Sequence, residues 1–109
     1  MSVKEGADLG DAPSDVADLA KVLHALSDPL RLGIVMQLHH QGEASCAALD
    51  GGRSKSTMSH HFRVLREAGV VRTRVHGVAH MNALRREELE ANFPGLLDAI
   101  IAATARNDD

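Results

Sequence analysis

The 109-residue chain has almost no aromatic side chains, since it contains no Trp, no Tyr and only Phe62 and Phe93. A stacking platform for single-stranded nucleic acid and a large aromatic ligand pocket are therefore not expected. The one cysteine, Cys46, excludes an internal disulfide framework and an all-cysteine metal site within one chain. No apolar run approaches membrane-spanning length, and the first residues lack a basic start followed by an apolar stretch. We expect one soluble, cytoplasmic domain that needs no cofactor.

The formal net charge of −3 argues against nucleic-acid binding, but the distribution of charge reverses that argument. Residues 53–86 hold eight basic side chains and one acidic one, a local charge of +7. The remaining 75 residues hold four basic and fourteen acidic side chains, a charge of −10. A basic segment on an acidic body is an electrostatic footprint that the total conceals, although chance clustering on a solvated surface is the simpler alternative.

The first half of the chain predicts an acidic arm followed by three helices. Residues 1–14 contain little apolar material and predict disorder, whereas residues 15–106 form the predicted domain. Apolar residues at helical spacing begin at Val16 and predict an amphipathic first helix. A second helix is expected from Ser27-Asp28-Pro29 to about His40, because Asp can cap a helix and Pro suits its first position. Ser45 is expected to cap a short third helix.

The second half predicts a polar helix, a hairpin and two further helices. Ser54 is expected to cap a helix from about Lys55 to Ala68, with Gly69 ending it in a left-handed conformation. Val70–Val75 and Val78–Leu84 are β-branched or alternating runs around His76-Gly77, which predicts a hairpin. A short helix is expected over Glu87–Ala91, and Pro94 is expected to open a last helix.

This order of elements is typical of a winged helix-turn-helix, a mostly helical fold with a β-hairpin wing. A recognition helix must enter a major groove about 12 Å wide, so its outward side chains need hydrogen-bonding capacity without bulk. The hairpin must carry cations to the flanking phosphates, and Arg72 and Arg74 alternate on one face of its first strand. The predicted DNA-contacting residues are Ser54, Lys55, Ser56, Thr57, Ser59, His60, Arg63, Arg72, Arg74 and His76.

Two stretches resemble the ArsR/SmtB family of bacterial repressors. Residues 25–32, ALSDPLRL, resemble the start of that family's second helix, and residues 54–71, SKSTMSHHFRVLREAGVV, resemble its recognition helix and exit. The resemblance covers roughly residues 16–104 and implies a homodimer that represses an operon by binding double-stranded operator DNA until an inducer lowers its affinity. It also implies that the first and last helices pair between subunits. The predicted interface residues are Leu19, Leu23, Leu96, Leu97, Ile100 and Ile101.

The chain departs from the family in its metal ligands, so no metal site is expected and the inducer is left unassigned. The family's Cys-x-Cys pair would fall on Ser45 and Ala47, with Cys46 between them and turned about 100° away. The other common site, on the last helix, has no histidine here. Cys46 is interpreted as a core residue, with a redox role as the alternative.

The histidines and acids have ordinary structural interpretations. His39 or His40 is expected at a helix end and His61 at the core edge, because adjacent residues on a helix do not converge on one ion. No catalytic motif occurs, and we expect no enzyme activity. The main prediction is a dimeric DNA-binding repressor. The alternative is a winged-helix protein-interaction module without DNA binding, which would not need small hydroxyls and a basic hairpin on one surface.

Overall fold

The computed structural model describes residues 14–106, so residues 1–13 of the predicted acidic arm lie outside the described part. The chain is mostly helical, with a small antiparallel sheet that includes a hairpin wing. None of the helices within residues 14–106 is long and apolar enough to span a membrane. The elements are α1 (Val16–Ala25), α2 (Pro29–Gln41), β1 (Glu43–Ser45), α3 (Cys46–Leu49), α4 (Lys55–Glu67), β2 (Val71–His76), β3 (Ala79–Leu84), α5 (Arg86–Asn92) and α6 (Leu96–Arg106).

Side-chain caps start the first four helices, and three of these caps were predicted from the sequence. Asp28 accepts hydrogen bonds from the backbone N–H groups of Leu30 and Arg31, and Pro29 occupies the first turn of α2. Ser45 and Ser54 cap α3 and α4 in the same way, and Asp15 caps α1. Each cap satisfies backbone donors that the first turn leaves without a partner, which fixes where the helix begins.

The sheet has a strand that the sequence did not predict. β1 pairs with β3, which pairs with β2, and both pairings are antiparallel. The hairpin turn lies at Gly77-Val78, one residue later than predicted, because His76 still pairs with Ala79. A positive φ at Gly77 followed by a negative φ at Val78 is the pattern of a type II′ turn, which matches the twist of the flanking strands.

The core lies between the helices and the inner face of the sheet. Phe62 and Leu65 of α4, Val35 and Leu38 of α2, and Val71 of β2 are all buried in one apolar cluster. Burying side chains of this size contributes about 1.5–3 kcal/mol each before chain entropy is counted. The apolar face of α4 is therefore buried, and its opposite face is left on the surface.

The start of α6 differs from the prediction. Pro94 does not open the helix, which begins at Leu96. Gly95 has φ +81°, outside the helical region, and its carbonyl accepts the first intrahelical hydrogen bond from Ala99 at 3.0 Å. Gly95 is therefore the residue that precedes the first turn, a conformation that glycine adopts at little cost.

Candidate nucleic-acid interface

The outward face of α4 consists of exposed polar and basic side chains. Met58, Phe62 and Leu65 point into the core, and the helical repeat consequently turns the intervening residues outward. The exposed residues on and before this helix include Ser54, Lys55, Ser56, Thr57, Ser59, His60 and Arg63. These are the predicted contacts of the recognition helix, and the structure brings them onto one surface element.

The hydroxyl of Ser54 has a structural role at the start of this face. Its Oγ accepts from the Thr57 N–H at 3.2 Å and lies 2.9 Å from the Thr57 Oγ1, to which it donates. The turn before it requires left-handed backbone at Gly51 and Gly52, with φ of +57° and +84°. Ser54 therefore holds the helix start, and its Oγ also lies 3.4 Å from Oγ of Ser56. Ser59 and His60 are exposed on the following turn.

A buried arginine of α2 links α4 to α2 and α1. Arg31 is 7% exposed, and its Nε donates to the Ala25 carbonyl oxygen at 2.7 Å. Its Nη1 lies 3.1 Å from Nδ1 of His61 on α4, and since guanidinium can only donate, this ring nitrogen accepts. Arg31 was part of the family-like stretch, but its contact with α4 was not predicted. His61 is half-buried at the core edge, as expected.

Two ionisable groups in this junction have shifted pKa values. The Arg31 N–H hydrogen bond, with the nearby Arg31 charge and the Leu30 N–H, lowers the pKa of Asp28. Burial is the largest cause that lowers the pKa of His61, with Arg31, His60 and Arg53 adding repulsion and Asp28 opposing them. Both shifts favour a charged Asp28 beside a neutral His61 at neutral pH.

The outer face of the wing contains an ion pair that the sequence did not reveal. Arg72, Arg74 and His76 alternate along β2, so their side chains share one face, and all three are exposed. Glu43 of β1 accepts from Arg74 through both oxygens, at 2.9 Å from Nε and 2.8 Å from Nη2. The Arg74 hydrogen bond is the largest cause lowering the pKa of Glu43, and the pair raises the pKa of Arg74. Arg74 is therefore engaged by Glu43, and its contact with a phosphate stays a prediction.

The inner face of the wing is anchored by a buried amide. Asn82 is fully buried; its Oδ1 accepts from the Thr73 hydroxyl at 2.6 Å and its Nδ2 donates to the Ala44 carbonyl at 3.3 Å. The same Nδ2 lies 3.3 Å from Sγ of Cys46, which is half-buried against the core. These contacts join all three strands to α3 and agree with the interpretation of Cys46 as a structural residue.

Two residues of the basic segment lie away from this surface. Arg85 is buried and donates from Nη2 to Glu88 at 3.2 Å. Arg86 Nη2 lies 2.7 Å from Nδ1 of His39, at the end of α2. The local charge of +7 therefore overstates the number of cations that the surface can offer to DNA.

The predicted dimer residues fall into two groups. Leu19 and Leu23 lie on α1, where Leu23 is 48% exposed, and Val16 beside them is 83% exposed. On α6, Leu96, Ile100 and Ile101 are half-buried and pack partly on the protomer's own core. Leu97 is only 4% exposed within the protomer. It is a core residue of one chain with little surface left for a partner, which corrects its assignment to the interface.

Within residues 14–106, no group of three or more His, Cys, Asp or Glu side chains is arranged to hold a metal ion. Ser45 uses its hydroxyl to cap α3, and Ala47 has no donor atom.

Comparison with known proteins identifies the family. Residues 26–74 match the family described as a helix-turn-helix domain. The chain is 36% identical over 90 residues to the uncharacterized HTH-type transcriptional regulator YceK of Bacillus subtilis, covering 80% of this chain and 90% of the relative. It is also 36% identical over 74 residues to the arsenical resistance operon repressor of Staphylococcus xylosus, covering 67% and 71% of the two chains.

A solved structure supports the same fold. The winged helix-turn-helix DNA-binding domain Mb0332 of Mycobacterium bovis, described as homodimeric and as a possible ArsR-family regulator, matches with a TM-score of 0.67 at 21% identity. The match covers 99% of this chain and 91% of that one. These proteins are regulators rather than enzymes, in agreement with the sequence prediction. Together with the polar outward face of α4 and the basic wing, the similarity to the two curated relatives places this chain in the ArsR/SmtB family of winged helix-turn-helix transcriptional regulators.

Proposed function

We propose that this regulator is a repressor that binds a palindromic operator as a homodimer, with α4 in the major groove and the wing on the flanking backbone. The carrying observation is the outward face of α4, where small hydroxyls and one imidazole are exposed opposite a fully buried apolar face. Such side chains can approach base edges closely and can donate or accept hydrogen bonds.

The residues of this surface are proposed to divide into those that contact bases and those that contact phosphates. Ser56, Ser59 and His60 are proposed to contact bases, because their polar atoms are exposed and Ser54 is occupied as the cap. Lys55 and Arg63 on α4 and Arg72 on the wing are proposed to contact phosphates, which fix orientation without reading sequence. Ser54 and Thr57 are proposed to contribute through the helix start, where backbone N–H groups and the helix dipole favour an anion.

The homodimer is proposed to form through α1 and α6. The support is the exposed apolar surface of Val16 and Leu23, next to the half-buried Leu19, together with the similarity to a domain described as homodimeric. Leu96, Ile100 and Ile101 complete the proposed interface. Two-fold symmetry would place two α4 helices about one DNA turn apart, which is why the operator is expected to be a palindrome.

Regulation is proposed to proceed without the family's thiolate metal site. One relative is named for arsenical resistance. In this chain Ser45 occupies one of the two expected cysteine positions, and its hydroxyl accepts the hydrogen bond that caps α3. Ala47 at the other position offers no ligand atom.

A gel-shift titration against the DNA upstream of the gene's own operon tests the proposal. We expect a single retarded complex at nanomolar protein, and much weaker binding to a scrambled duplex of the same length. Equal affinity for both duplexes would contradict sequence reading by α4. Absence of binding to any duplex at low salt would favour the protein-interaction alternative.

A further inference from the structure

The ion pair on the outer face of the wing connects β1 and β2, the two edge strands of the sheet. In the register of the sheet, Glu43 lies opposite Ala83, and Arg74 lies opposite Met81. Ala83 contributes only a methyl group on the strand between them. The carboxylate of Glu43 reaches the guanidinium of Arg74 diagonally across β3. It accepts hydrogen bonds from Nε at 2.9 Å and from Nη2 at 2.8 Å.

This geometry removes Arg74 as a free cation. The Nε and Nη2 donors form the edge with which an arginine clamps a carboxylate or a phosphate, and Glu43 already occupies that edge. The remaining Nη1 lies 3.4 Å from Nδ1 of His76. The pair is neutral, and both its members are on the exposed outer face beside Arg72.

We propose that Glu43 attenuates phosphate binding by the wing, holding down the sequence-independent part of the DNA affinity. The inference rests on the proposed DNA-binding function. A phosphate must displace the carboxylate to reach Arg74, and the displaced carboxylate would repel the DNA backbone. Glu43 therefore sets how many counterions the dimer releases, and with them the salt dependence of binding.

A double-mutant cycle on the full-length protein tests this role. The proteins are the wild type, Glu43→Gln, Arg74→Ala and the double variant, titrated onto the upstream DNA and a scrambled duplex at several salt concentrations. If Glu43→Gln frees one cation per protomer, two more phosphates are neutralised per dimer. Affinity for both duplexes should then rise roughly 10- to 30-fold near 0.15 M salt, and the slope of log K against log salt should steepen by about 2.

The other two variants of the cycle are not expected to gain DNA affinity. Arg74→Ala alone should weaken binding to both duplexes, because it leaves an unpaired carboxylate facing the backbone. The double variant should return close to the wild-type affinity, since a neutral pair has been replaced by two neutral side chains. Glu87→Gln is the matched control, because it removes the same charge from an exposed position in the first turn of α5, and its salt slope should be unchanged.

Two further readouts separate the possible failures. The Nε–H resonance of Arg74 in the free protein should shift on Glu43→Gln without DNA present, and the thermal unfolding of that variant should remain cooperative. Unchanged or weaker DNA binding by Glu43→Gln, with an intact operator complex for the wild type, would overturn the role of Glu43 alone. An equal gain from Glu87→Gln would overturn it as well. If neither the wild type nor Glu43→Gln binds any duplex, the proposed function fails together with this inference.

Discussion

At the scale of single residues, side chains that contact bases and side chains that contact phosphates lead to different predictions for DNA affinity. Ser59→Ala or His60→Ala should narrow the gap between operator and scrambled DNA by roughly 1–3 kcal/mol wherever a base contact is lost. Arg72→Ala should instead weaken both duplexes by a similar factor, because a phosphate contact has no base information. Affinities of each variant for the two duplexes measure the difference. The reverse pattern would mean that the base-reading and phosphate-binding surfaces have been exchanged.

Cys46 leads to a prediction about oxidants. Its sulfur lies 3.3 Å from the Asn82 amide and is half-buried against the core, so we expect a structural role rather than a sensing one. Peroxide or diamide should leave operator binding unchanged in both the wild type and Cys46→Ser. Release of DNA by oxidant from the wild type, with no release from the serine variant, would identify a redox switch and contradict this expectation.

The residues that the sequence left unpredicted are those defined by distant partners. Ser54 and Asp28 could be recognised because a cap acts within three residues of itself. Glu43 pairs with a residue 31 positions away and Asn82 with one 38 positions away, and no local spacing encodes such contacts. Arg31 stood in a family-like motif, but its contact with His61 depends on how α2 and α4 cross.

At the scale of elements, the junction of α2 and α4 should make stability depend on pH. The pKa of His61 is lowered in the folded protein, so the unfolded chain takes up a proton first as the pH falls. The free energy of unfolding should therefore be highest above the usual histidine range. It should decrease as the pH falls through about 6.5 toward the lowered folded value. Protonation of Nδ1 would also remove the acceptor that Arg31 uses.

Matched asparagine variants test the source of that dependence. In His61→Asn the side-chain oxygen can replace Nδ1 as an acceptor but does not titrate, so the loss of stability between pH 7 and pH 5.5 should be reduced. His60→Asn removes the exposed neighbouring histidine and should retain the wild-type profile. Urea unfolding followed by circular dichroism provides both profiles. Identical slopes for His61→Asn and the wild type would exclude His61 as the titrating group.

Elements with a strong periodic pattern were predictable, and those without one were not. The helices from α1 to α5 and the β2–β3 hairpin follow apolar spacing, caps and turn residues, and the structure confirms them to within one or two residues. β1 has only three residues and becomes a strand because β3 offers it a free edge. The predicted start of α6 at Pro94 was wrong by two residues, because the helix begins at Leu96. The sequence allows a helix to start at Pro94, and only the positive φ of Gly95 shows that it starts later.

At the scale of the whole molecule, assembly should depend on the exposed surface of α1. Leu23→Asp places a charge on a side chain that is half exposed in the protomer, so the fold should survive while the dimer dissociates. Ile100 is less suitable for this test because it packs on the core. Analytical ultracentrifugation should find a monomer with unchanged helicity, and operator affinity should fall at least 100-fold because two half-sites are no longer held together.

A second aspartate variant controls for the added charge. Val78 is fully exposed at the tip of the wing, so Val78→Asp makes the same chemical change away from α1 and should sediment as a dimer. A monomeric wild-type protein at micromolar concentration, or a dimeric Leu23→Asp variant, would contradict an interface built on α1.

The number of exposed cations on the proposed DNA-contacting surfaces of the two protomers predicts the salt dependence of operator binding. Outside the Glu43–Arg74 pair, each protomer exposes five basic side chains on the recognition helix, the turn before it and the first wing strand: Arg53, Lys55, Arg63, Arg66 and Arg72. Arg66 is in the last turn of α4, at the opposite end from the residues proposed to contact bases, which leaves four cations per protomer for the DNA backbone. Two protomers could thus neutralise about eight phosphates, which corresponds to a slope of log K against log salt of about −7. The whole segment's formal charge would predict a steeper slope, but Arg85 is buried, Arg86 contacts His39 and Arg74 is paired. Fluorescence anisotropy titrations from about 0.05 to 0.3 M salt measure the slope. A value near zero would exclude a phosphate-based interface, and a value near −12 would indicate that the buried and paired arginines also reach the DNA.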